Sequence, residues 1–528
     1  MSLAFDAIVI GAGANGLVAA TALARAGRKT LVLERAERTG GQTADIEFAT
    51  GFHAAPLCMD VDWVPPSVVR GLGLTLPERV HADPAIAVAT GNGAFLTLSS
   101  DARLAADAIR TFSPRDAAAW PDFMAKLRSI AAFLEQLYQV PAPDVDATGF
   151  AELRELAGLA WRFRKLGRTG MTDLLRIMPM PAEELLDDAF ELAPLKAAIA
   201  TGAIRGGRHG PRAGGSAFVL LHYMTGGSGA SFRRSDYWRT GPNALIATLE
   251  TGAQKNGVTI RTGARVDRIR VSDDAVTGVV LESGAEIAAR TVLSSADPAT
   301  TLLGMIDPVW LDPEFTLAAR NIRYRGCTAF VLYALDGMPV LPGMADAERS
   351  LASCVTLSAD LAAIERACTP ARYGGIAEQP HIELAMPSLR WPDVAPAGCH
   401  VLVARTQYVP YTLRDDAPWD HAARCTVADR VTHAIEAVAP GFTNRVLHRV
   451  TLGPRDLEDR FGLTEGAFTH GELMLDQILF MRPVPGWGRH TMPLEGLYLC
   501  GAGTHPGPAI PGGPGWLAAQ AAIAGAAQ

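Results

Sequence analysis

The pattern of apolar positions near the N-terminus predicts a strand, a helix and a second strand in close succession. Residues 7–10 (Ala-Ile-Val-Ile) form a short continuous apolar run, as in strands that are buried on both faces of a parallel sheet. From Leu17 to Ala26, Ala and Leu recur at helical spacing, and Gly27 stands where a helix C-cap belongs. Residues 30–33 (Thr-Leu-Val-Leu) form a second buried run that ends in Glu34. The N-terminus therefore predicts a βαβ unit.

Similar patterns recur later in the chain. Residues 258–263 alternate after Asn256-Gly257, which is typical of a strand that follows a helix end. Residues 276–280 and 286–288, on either side of a glycine-containing turn, predict a hairpin. Residues 497–500 predict a strand and residues 516–527 an Ala-rich helix, so a second strand–glycine turn–helix unit closes the chain. We expect an α/β fold.

A glycine motif follows the first strand directly. Gly11, Gly13 and Gly16 form G-x-G-x-x-G. The first glycine allows a tight turn, the second lets the backbone approach a pyrophosphate, and the third lets helix and strand pack closely. The helix N-terminus presents free N–H groups and a partial positive charge to the phosphates. Glu34 is able to accept hydrogen bonds from ribose hydroxyls and would repel a 2′-phosphate, so the motif predicts a dinucleotide other than NADP.

Composition narrows the class of protein. The 528 residues exceed one ordinary core, and 48% hydrophobic with 20% charged residues indicates a folded globular chain. The net charge of −7 disfavours a nucleic-acid partner. The seven cysteines are scattered without a C-x-x-C, which argues against a zinc ribbon or a redox dithiol and predicts reduced thiols in a cytoplasmic compartment. We expect no metal site, and we find no signal peptide and no apolar run long enough to span a membrane.

Several motifs together carry a resemblance to a known family. They are the N-terminal glycine motif with Glu34-Arg35 and Gly40-Gly41, residues 239–245 (R-T-G-P-N-A-L), residues 294–298 (S-S-A-D-P) and the glycine-rich turn 501–512. The chain resembles the phytoene desaturase-like branch of the flavin amine oxidase superfamily over most of its length. Residues 468–485 are most similar to the type named pyridine nucleotide-disulfide oxidoreductase domain-containing 2, although the C-x-x-C that this name suggests is absent.

The resemblance implies noncovalent FAD, with the following residues around it. Gly11, Gly13, Asn15 and Gly16 would hold the pyrophosphate, Glu34 and Arg35 the adenosine ribose, Gly40, Gly41, Gln42 and Thr43 the phosphates, and Val266 the adenine; Gly501, Gly503 and Thr504 would lie by the ribityl chain, and Ile510, Pro511, Gly512 and Gly513 against the isoalloxazine. A helix that starts near Gly512 would point its positive end at the flavin and stabilise the negative charge of the reduced ring.

The same resemblance implies an interleaved domain arrangement. We expect a Rossmann-like FAD-binding domain from residues 1–75, 233–300 and 486–528. A mixed α+β substrate-binding domain from residues 76–232 and 301–485 would face it.

His505 is the candidate catalytic residue, because it lies in the turn that the resemblance places nearest the flavin. The alternative is that its ring only braces a proline-rich turn. His53, His222, Tyr223 and His470 are weaker candidates, each expected to be structural. Cys500 ends a buried strand, so we do not expect it to attach the flavin covalently.

The function that we expect is dehydrogenation or desaturation of a hydrophobic, polyene- or lipid-like substrate. The chain shows no second G-x-G-x-x-G in a strand–helix context, so reoxidation is expected to use dioxygen, a quinone or another diffusible acceptor. Three alternatives remain open: a flavin amine oxidase, a flavin-dependent polyene isomerase, and a noncatalytic binding or assembly protein that FAD stabilises.

One segment outside these motifs carries both charge and aromatic rings. Residues 154–168 contain five basic residues interleaved with Trp161 and Phe163. Basic helices with aromatic residues are able to lie on membrane surfaces. The segment therefore predicts peripheral membrane contact, with an ordinary surface helix as the alternative.

Overall fold

The computed structural model describes residues 5–143, 149–227 and 232–525. The strands in these ranges are β1 (Ala7–Ile10), β2 (Thr30–Leu33), β3 (Ile46–Ala49), β4 (Phe52–Ala54), β5 (Arg79–His81), β6 (Ile86–Ala89), β7 (Phe95–Leu98), β8 (Asp236–Trp238), β9 (Thr259–Arg261), β10 (Val266–Ser272), β11 (Ala275–Leu281), β12 (Glu286–Ala288), β13 (Thr291–Ser294), β14 (Thr328–Leu335), β15 (Val355–Thr356), β16 (His381–Ala385), β17 (His400–Gln407), β18 (Val446–Leu452) and β19 (Leu497–Leu499).

The α-helices in the same ranges are α1 (Ala14–Arg25), α2 (Pro66–Leu72), α3 (Ala102–Arg110), α4 (Pro114–Leu137), α5 (Phe150–Lys165), α6 (Gly167–Ile177), α7 (Ala182–Asp187), α8 (Ala193–Ala203), α9 (Ser216–Met224), α10 (Ala244–Lys255), α11 (Pro313–Arg320), α12 (Ala347–Ser353), α13 (Leu361–Ala371), α14 (His421–Val438), α15 (Pro454–Phe461) and α16 (Gly513–Gly525). Within the part of the chain that the structure describes, no helix is both long and apolar enough to cross a bilayer.

A parallel sheet joins distant parts of the chain. Its strand order is β19-β13-β1-β2-β9, and every neighbouring pair runs parallel. All four residues of β1 and of β2 are buried, as their continuous apolar runs predict. Because Ile10 pairs with both Leu33 and Ser294, the carboxyl ends of three strands meet at one edge. The α/β prediction is confirmed, and this edge is where the glycine motif begins.

Helices α1, α10 and α16 pack on this sheet through one apolar cluster that includes Leu17, Leu249 and Ala518. Helix α16 approaches α1 closely because Gly515 has no side chain, and a Cβ there would overlap the backbone of Asn15. The three-stranded antiparallel sheet β10-β11-β12 lies beside this unit and contains the hairpin that the sequence predicts.

A second sheet has seven strands in the order β18-β14-β17-β16-β15-β6-β7. Its neighbouring strands are antiparallel except β15 and β6. Every residue of β14 is buried, because both faces are covered. One face packs on α12 and α14, and the other contacts β4 and α15. A mainly helical layer, built from α3, α4, α6 to α9 and α13, completes the core.

The basic segment 154–168 extends over the end of one helix and the start of the next. Helix α5 ends at Lys165, and Gly167, whose φ is +70°, separates it from α6. The division into a discontinuous cofactor domain and a substrate domain stays a prediction.

Gly16→Ala tests the close packing of β1 and α1. A Cβ at this position would overlap the carbonyl oxygen of Gly11. We expect the free energy of unfolding to fall by about 1–3 kcal/mol, the usual cost of overpacking. The matched control is Gly158→Ala in α5, where no described atom lies within 4 Å of the added Cβ and helix propensity improves. Thermal unfolding of the two variants beside the wild type measures the difference, and equal stability of both would contradict the packing argument.

Candidate cofactor site

A cavity of about 580 Å³ opens at the carboxyl edge of the parallel sheet. Twelve of the predicted cofactor residues line it, namely Gly11, Gly13, Asn15, Glu34, Arg35, Gly40, Gly41, Gln42, Thr43, Val266, Ile510 and Pro511. They come from five separate parts of the chain that β1, β2, β10 and the start of α16 bring together. The structure therefore assembles the predicted motifs around one space.

The glycines of the cavity keep its wall thin. Gly11 has a φ of +92°, which favours glycine and allows the turn into α1. Gly13 and Gly41 face each other, and a Cβ on Gly41 would lie 3.3 Å from the Cα of Gly13. A side chain at either position would occupy the space that the two turns leave between them.

Glu34 holds the glycine turn from the end of β2. Its carboxylate accepts hydrogen bonds from the N–H groups of Ala12 (2.7 Å) and Ala36 (2.9 Å). A carboxylate has about four acceptor positions, so lone pairs remain for ribose hydroxyls. Arg35 points across the cavity mouth and donates to the carbonyl of Arg460 at 2.8 Å, at the end of α15.

Asn15 joins the two ends of the chain. Its Oδ1 accepts a hydrogen bond from the N–H of Gly512 at 2.7 Å, although the residues are 497 positions apart. This bond positions the start of α16 beside the start of α1. The N-termini of both helices therefore lie near the same cavity.

The remaining predicted cofactor residues lie behind the wall of the cavity. They are Gly16, Gly501, Gly503, Thr504, Gly512 and Gly513. Gly501 packs against the backbone of Ser295, Gly503 packs against Pro298, and the hydroxyl of Thr504 donates to the carbonyl of Gly501 at 2.8 Å. Their observed contribution is close packing of the turn, and direct contact with the cofactor stays a prediction.

Comparisons with known proteins agree on the family. The family model for flavin containing amine oxidoreductase matches residues 15–334. The "Pyridine nucleotide-disulfide oxidoreductase domain-containing protein 2" of Rattus norvegicus is 34% identical over 98% of this chain and 93% of its own length. The chain belongs to the flavin-containing amine oxidoreductase family. It is an FAD-dependent oxidoreductase, as its motifs predict.

The chain is also similar to more distant proteins with different names. The "Phytoene desaturase (lycopene-forming)" of Pantoea ananas is 25% identical over 98% of both chains. Among solved structures, an oxidoreductase from Methanosarcina mazei has a TM-score of 0.60 at 15% identity, covering 98% of this chain and 100% of that one. A putrescine oxidase bound to putrescine has a TM-score of 0.58 at 14% identity, covering 99% of both. At these identities the solved structures show the shared fold.

The cavity fits FAD on its own geometry. Its volume lies within the ~300–1,000 Å³ that is usual for ligand pockets. The facing glycines leave room for a pyrophosphate, and the acidic end of β2 is placed for a ribose. His470 lines the same cavity, and its buried Nδ1 has no hydrogen-bond partner among the described residues. Burial lowers the pKa of His470, so its ring is neutral and able to bond to a bound group.

Arg482 is a site residue that the sequence did not indicate. The residue is 2% exposed, and its guanidinium donates to the carbonyls of Ala502 (2.9 Å), Glu472 (3.1 Å) and Gln477 (3.2 Å), among others. Burial lowers the pKa of Arg482 to about 10, which leaves the group charged at neutral pH. This cation ties segment 469–477 to the turn that the resemblance places at the flavin, and no sequence motif marks it.

Other lining residues were also absent from the prediction. Ser295 donates to the carbonyl of Ile10 at 2.8 Å, and Phe461 to Leu463 close the adenosine end. Asp62 lines the other end beside Ala509. Ser295 lies in the S-S-A-D-P motif, for which no contact was predicted, whereas the approach of Asp62 and of residues 461–463 to the cavity depends on tertiary folding that no local pattern shows.

His505 does not line the cofactor cavity. Its ring is fully buried, Nε2 lies 3.1 Å from the carbonyl of Val140, and Tyr138 packs on it edge-on at 6.0 Å. Burial, with a smaller contribution from His490, lowers the pKa of His505 to about 3. A ring that stays neutral and bonded behind the turn favours the bracing alternative over proton transfer near pH 7.

Two of the weaker candidates, His222 and His53, also have polar partners. His222 lies between the hydroxyl of Tyr138 (2.9 Å) and the carbonyl of Pro508 (2.8 Å), and burial lowers its pKa to about 3. His53 lines a separate groove of about 1020 Å³ and lies 3.4 Å from Asp45. That groove is larger than the cofactor cavity, but it contains none of the predicted cofactor residues.

Cys500 is unsuited to covalent attachment. The side chain is fully buried at the end of β19, and burial raises the pKa of its thiol well above the ordinary value. A neutral buried thiol is a poor nucleophile. All seven cysteines, which lie within the described ranges, are free.

The low pKa of His505 predicts a pH-dependent stability. The unfolded chain binds a proton to this residue below pH ~6.5, whereas the folded protein does so only near pH 3. Stability is therefore complete above pH ~6.5 and falls as pH drops toward 3, by up to about 1.4 kcal/mol per pH unit for one group. His505→Gln should reduce the loss of thermal stability of the FAD-loaded protein between pH 7 and pH 5.

The matched control is His448→Gln, whose side chain lies exposed on β18, and it should keep the wild-type pH dependence. Stopped-flow flavin reduction, normalised to flavin content, is measured on the same samples. If His505 only braces the turn, the normalised rate of His505→Gln stays at the wild-type value. A fall of about 10²–10⁴ would instead show that His505 transfers a proton.

Proposed function

We propose that this flavin oxidoreductase dehydrogenates a hydrophobic, elongated substrate. The observation that carries the proposal is an apolar pocket of about 400 Å³ between the end of α4 and α5. Leu137, Val140, Leu156 and Leu159 line it together with two prolines and a glycine, and Arg154, Glu155 and Arg162 add charged groups at its wall. Val140, on its inner wall, accepts the hydrogen bond of His505. The pocket thus borders the residue that bonds His505 in the turn after β19, although it shares no lining residue with the cofactor cavity.

The chain contributes a mainly apolar wall for the substrate. Bound FAD supplies the two-electron acceptor, so the protein needs no strong nucleophile of its own. Leu137 and Tyr138 are buried, and His222 and His505 are neutral at physiological pH. A polyene, or the apolar chain of a lipid, is therefore the substrate class that this pocket suits. The phytoene desaturase that matches the full chain supports the same class.

An amine oxidase is the second candidate, because the family is named for amines and a putrescine oxidase shares the fold. Two buried cations argue against it. Arg482 lies behind the cofactor turn, and Arg234 donates to the carbonyl of Ala509 at 2.9 Å. A protonated amine would meet like charge there, at a cost in free energy that burial increases.

We infer that dioxygen or a quinone reoxidises the flavin, since either is a diffusible acceptor.

Anaerobic bleaching of the flavin tests the proposed function directly. We expect polyenes or long-chain lipids to bleach it and to leave a product lighter by two hydrogen atoms. Leu159→Trp should slow this reduction about tenfold, a loss of ~1.4 kcal/mol, because the indole fills the pocket. Leu153→Trp is the control, since Leu153 is exposed on the same helix.

Each alternative has its own outcome in this experiment. Bleaching by amines alone, with peroxide released in air, would identify an amine oxidase. A product with the mass of the substrate would identify an isomerase. A flavin that no member of the panel bleaches would indicate a binding or assembly protein and would contradict the proposal.

We also propose that α5 and α6 contact an anionic membrane surface. Trp161 is 59% exposed and Leu175 is 65% exposed, with basic residues between them. Lys165 Nζ lies 3.5 Å from the centre of the Trp161 ring, so charge and apolar surface are adjacent. The opposite side of α5 faces the core, where Phe163 packs edge-on against Phe133. The apolar pocket opens along this helix, so a lipid-soluble substrate could reach it from the bilayer.

Vesicle co-sedimentation tests the membrane proposal. The double variant Arg164→Glu, Lys165→Glu should lose at least about tenfold in binding to vesicles that contain phosphatidylserine, since each basic residue near the surface contributes ~1 kcal/mol. The control pair Arg268→Glu, Arg270→Glu changes the net charge equally on β10 and should bind as the wild type. Absence of wild-type binding at low salt, or equal losses in both pairs, would contradict the proposal.

A further inference from the structure

The interior beside the cofactor site holds more arginine than carboxylate. We call the following residues the arginine cluster: Arg205, Arg233, Arg234, Arg390 and Arg405, with Asp60, Asp62 and Glu383. Six of these eight side chains are buried, Arg205 is slightly exposed, and Asp62, which lines the cavity, is the most exposed. Five guanidinium groups thus share three carboxylates in a region with little access to water.

Each central carboxylate serves more than one arginine. Asp60 lies 3.3 Å from Arg233, 3.7 Å from Arg390 and 3.8 Å from Arg205. Glu383 pairs with Arg233 and with Arg405, its direct neighbour across β16 and β17. The carboxylates of Asp60 and Glu383 are therefore already paired with their nearest arginines. Of the three arginines around Asp60, Arg205 lies farthest from its carboxylate.

Three donors at the edge of this cluster lack an acceptor. Arg205 stacks on the ring of Tyr223, with 5.1 Å from its guanidinium carbon to the ring centre. Among the described residues, Nε of Arg205, the hydroxyl of Tyr223 and one terminal nitrogen of Arg234 are buried without a hydrogen-bond partner. A buried donor without an acceptor costs free energy. Three such donors on neighbouring side chains point to a ligand that supplies acceptors.

These donors lie beside the end of the cofactor cavity. Arg234 donates to the carbonyl of Tyr223 at 3.2 Å and to the carbonyl of Ala509 at 2.9 Å, and it lies 3.4 Å from Asp62. Ala509 and Asp62 both line the cavity, next to Ile510. Tyr223, Trp63 and Ile510 belong to one apolar cluster. A bound molecule could therefore place an acidic group at the arginines and an apolar part toward the flavin.

The electrostatics of nearby groups agree with an excess of positive charge. Burial, with smaller contributions from the like charges of Arg205 and Arg233, lowers the pKa of Arg405 to about 9. Burial, with smaller contributions from the positive charges of Arg405 and Arg233, lowers the pKa of His381 to about 3. An anion bound here would relieve this repulsion.

We propose that Arg205, Arg234 and the hydroxyl of Tyr223 bind the acidic head group, a carboxylate or a phosphate, of an amphipathic substrate. This inference rests on the proposed function, because it specifies one end of the substrate that the enzyme oxidises. A planar guanidinium suits either group, since it donates two parallel hydrogen bonds to a pair of oxygens. The apolar chain lies toward the cofactor cavity.

The experiment is an equilibrium titration of the FAD-loaded protein without turnover. Perturbation of the oxidised flavin spectrum, with calorimetry as a second measurement, follows binding of dodecanoate, dodecyl phosphate and dodecanol. We expect one acidic ligand or both to bind roughly tenfold to a hundredfold more tightly than the alcohol, the range for charge-assisted hydrogen bonds. Preference for dodecanoate identifies a carboxylate, and preference for dodecyl phosphate identifies a phosphate.

Variants separate a binding role from a structural one. Arg205→Met should abolish the preference for the acid and leave the affinity for dodecanol unchanged, whereas Arg205→Lys should keep part of the preference. Tyr223→Phe removes a hydroxyl without a described partner, so it should fold normally and still weaken binding of the acid alone. Arg115→Met is the control, because Arg115 is exposed and pairs with Glu191 far from this region.

Two results would overturn the inference. One is equal affinity of the wild type for acid and alcohol. The other is an unchanged preference for the acid in Tyr223→Phe and in whichever Arg205 variants fold. Binding is measured without flavin reduction, so this outcome is distinct from failure of the proposed function, in which no ligand bleaches the flavin. A neutral polyene that bleaches wild type and Arg205→Met alike would keep the proposed function and reject the acidic head group.

Discussion

The contact between two glycine-rich turns at opposite ends of the chain is the constraint on which the rest of the site depends. The first turn leads from β1 into α1, and the second leads from β19 into α16. Asn15 accepts a hydrogen bond from Gly512, and Gly515 lets the two helices approach until backbone meets backbone. Both helix N-termini are thereby aimed at one cavity, so positive electrostatic potential is concentrated where a cofactor with phosphates and an electron-accepting ring would lie. A side chain in this contact would separate the ends that form the site.

Charge is distributed around this contact in a consistent way. The histidines nearest the second turn are neutral, because burial holds their pKa values near 3. The permanent charges there are guanidinium groups, which remain protonated after burial. Arg482 donates hydrogen bonds to backbone carbonyls behind the turn, and Arg234 donates one to the carbonyl of Ala509. The region is therefore electropositive, and His222 and His505 stay neutral near pH 7.

The parts of the fold that the sequence predicted are those with short-range signals. The run of residues 7–10, the glycine spacing and the acidic end at Glu34 define β1, α1 and β2 by local physical rules, and the structure has all three. The hairpin of β11 and β12 was predictable for the same reason. The twelve predicted residues that line the cavity could be identified because each lies in or beside a motif. By contrast, Arg482 and Arg205 lie in loops whose neighbours come from distant segments, so their burial depends on packing that no local pattern encodes. His505 illustrates the opposite limit, since sequence places it in the correct turn but does not show which side its ring faces.

The position of β19 and α16 has a consequence for how the protein is made. The parallel sheet acquires its last edge strand, and the glycine turn its partner helix, only from the final residues of the chain. Contacts so far apart in sequence are slow to form, because a very long loop must close before they contribute. While the ribosome is still at work, the N-terminal βαβ unit therefore carries an incomplete cofactor cradle with an exposed apolar face. A chain cut short before β19 would contain the whole G-x-G-x-x-G motif and still lack the completed cradle, so cofactor loading depends on β19 and α16 having folded onto the N-terminal unit.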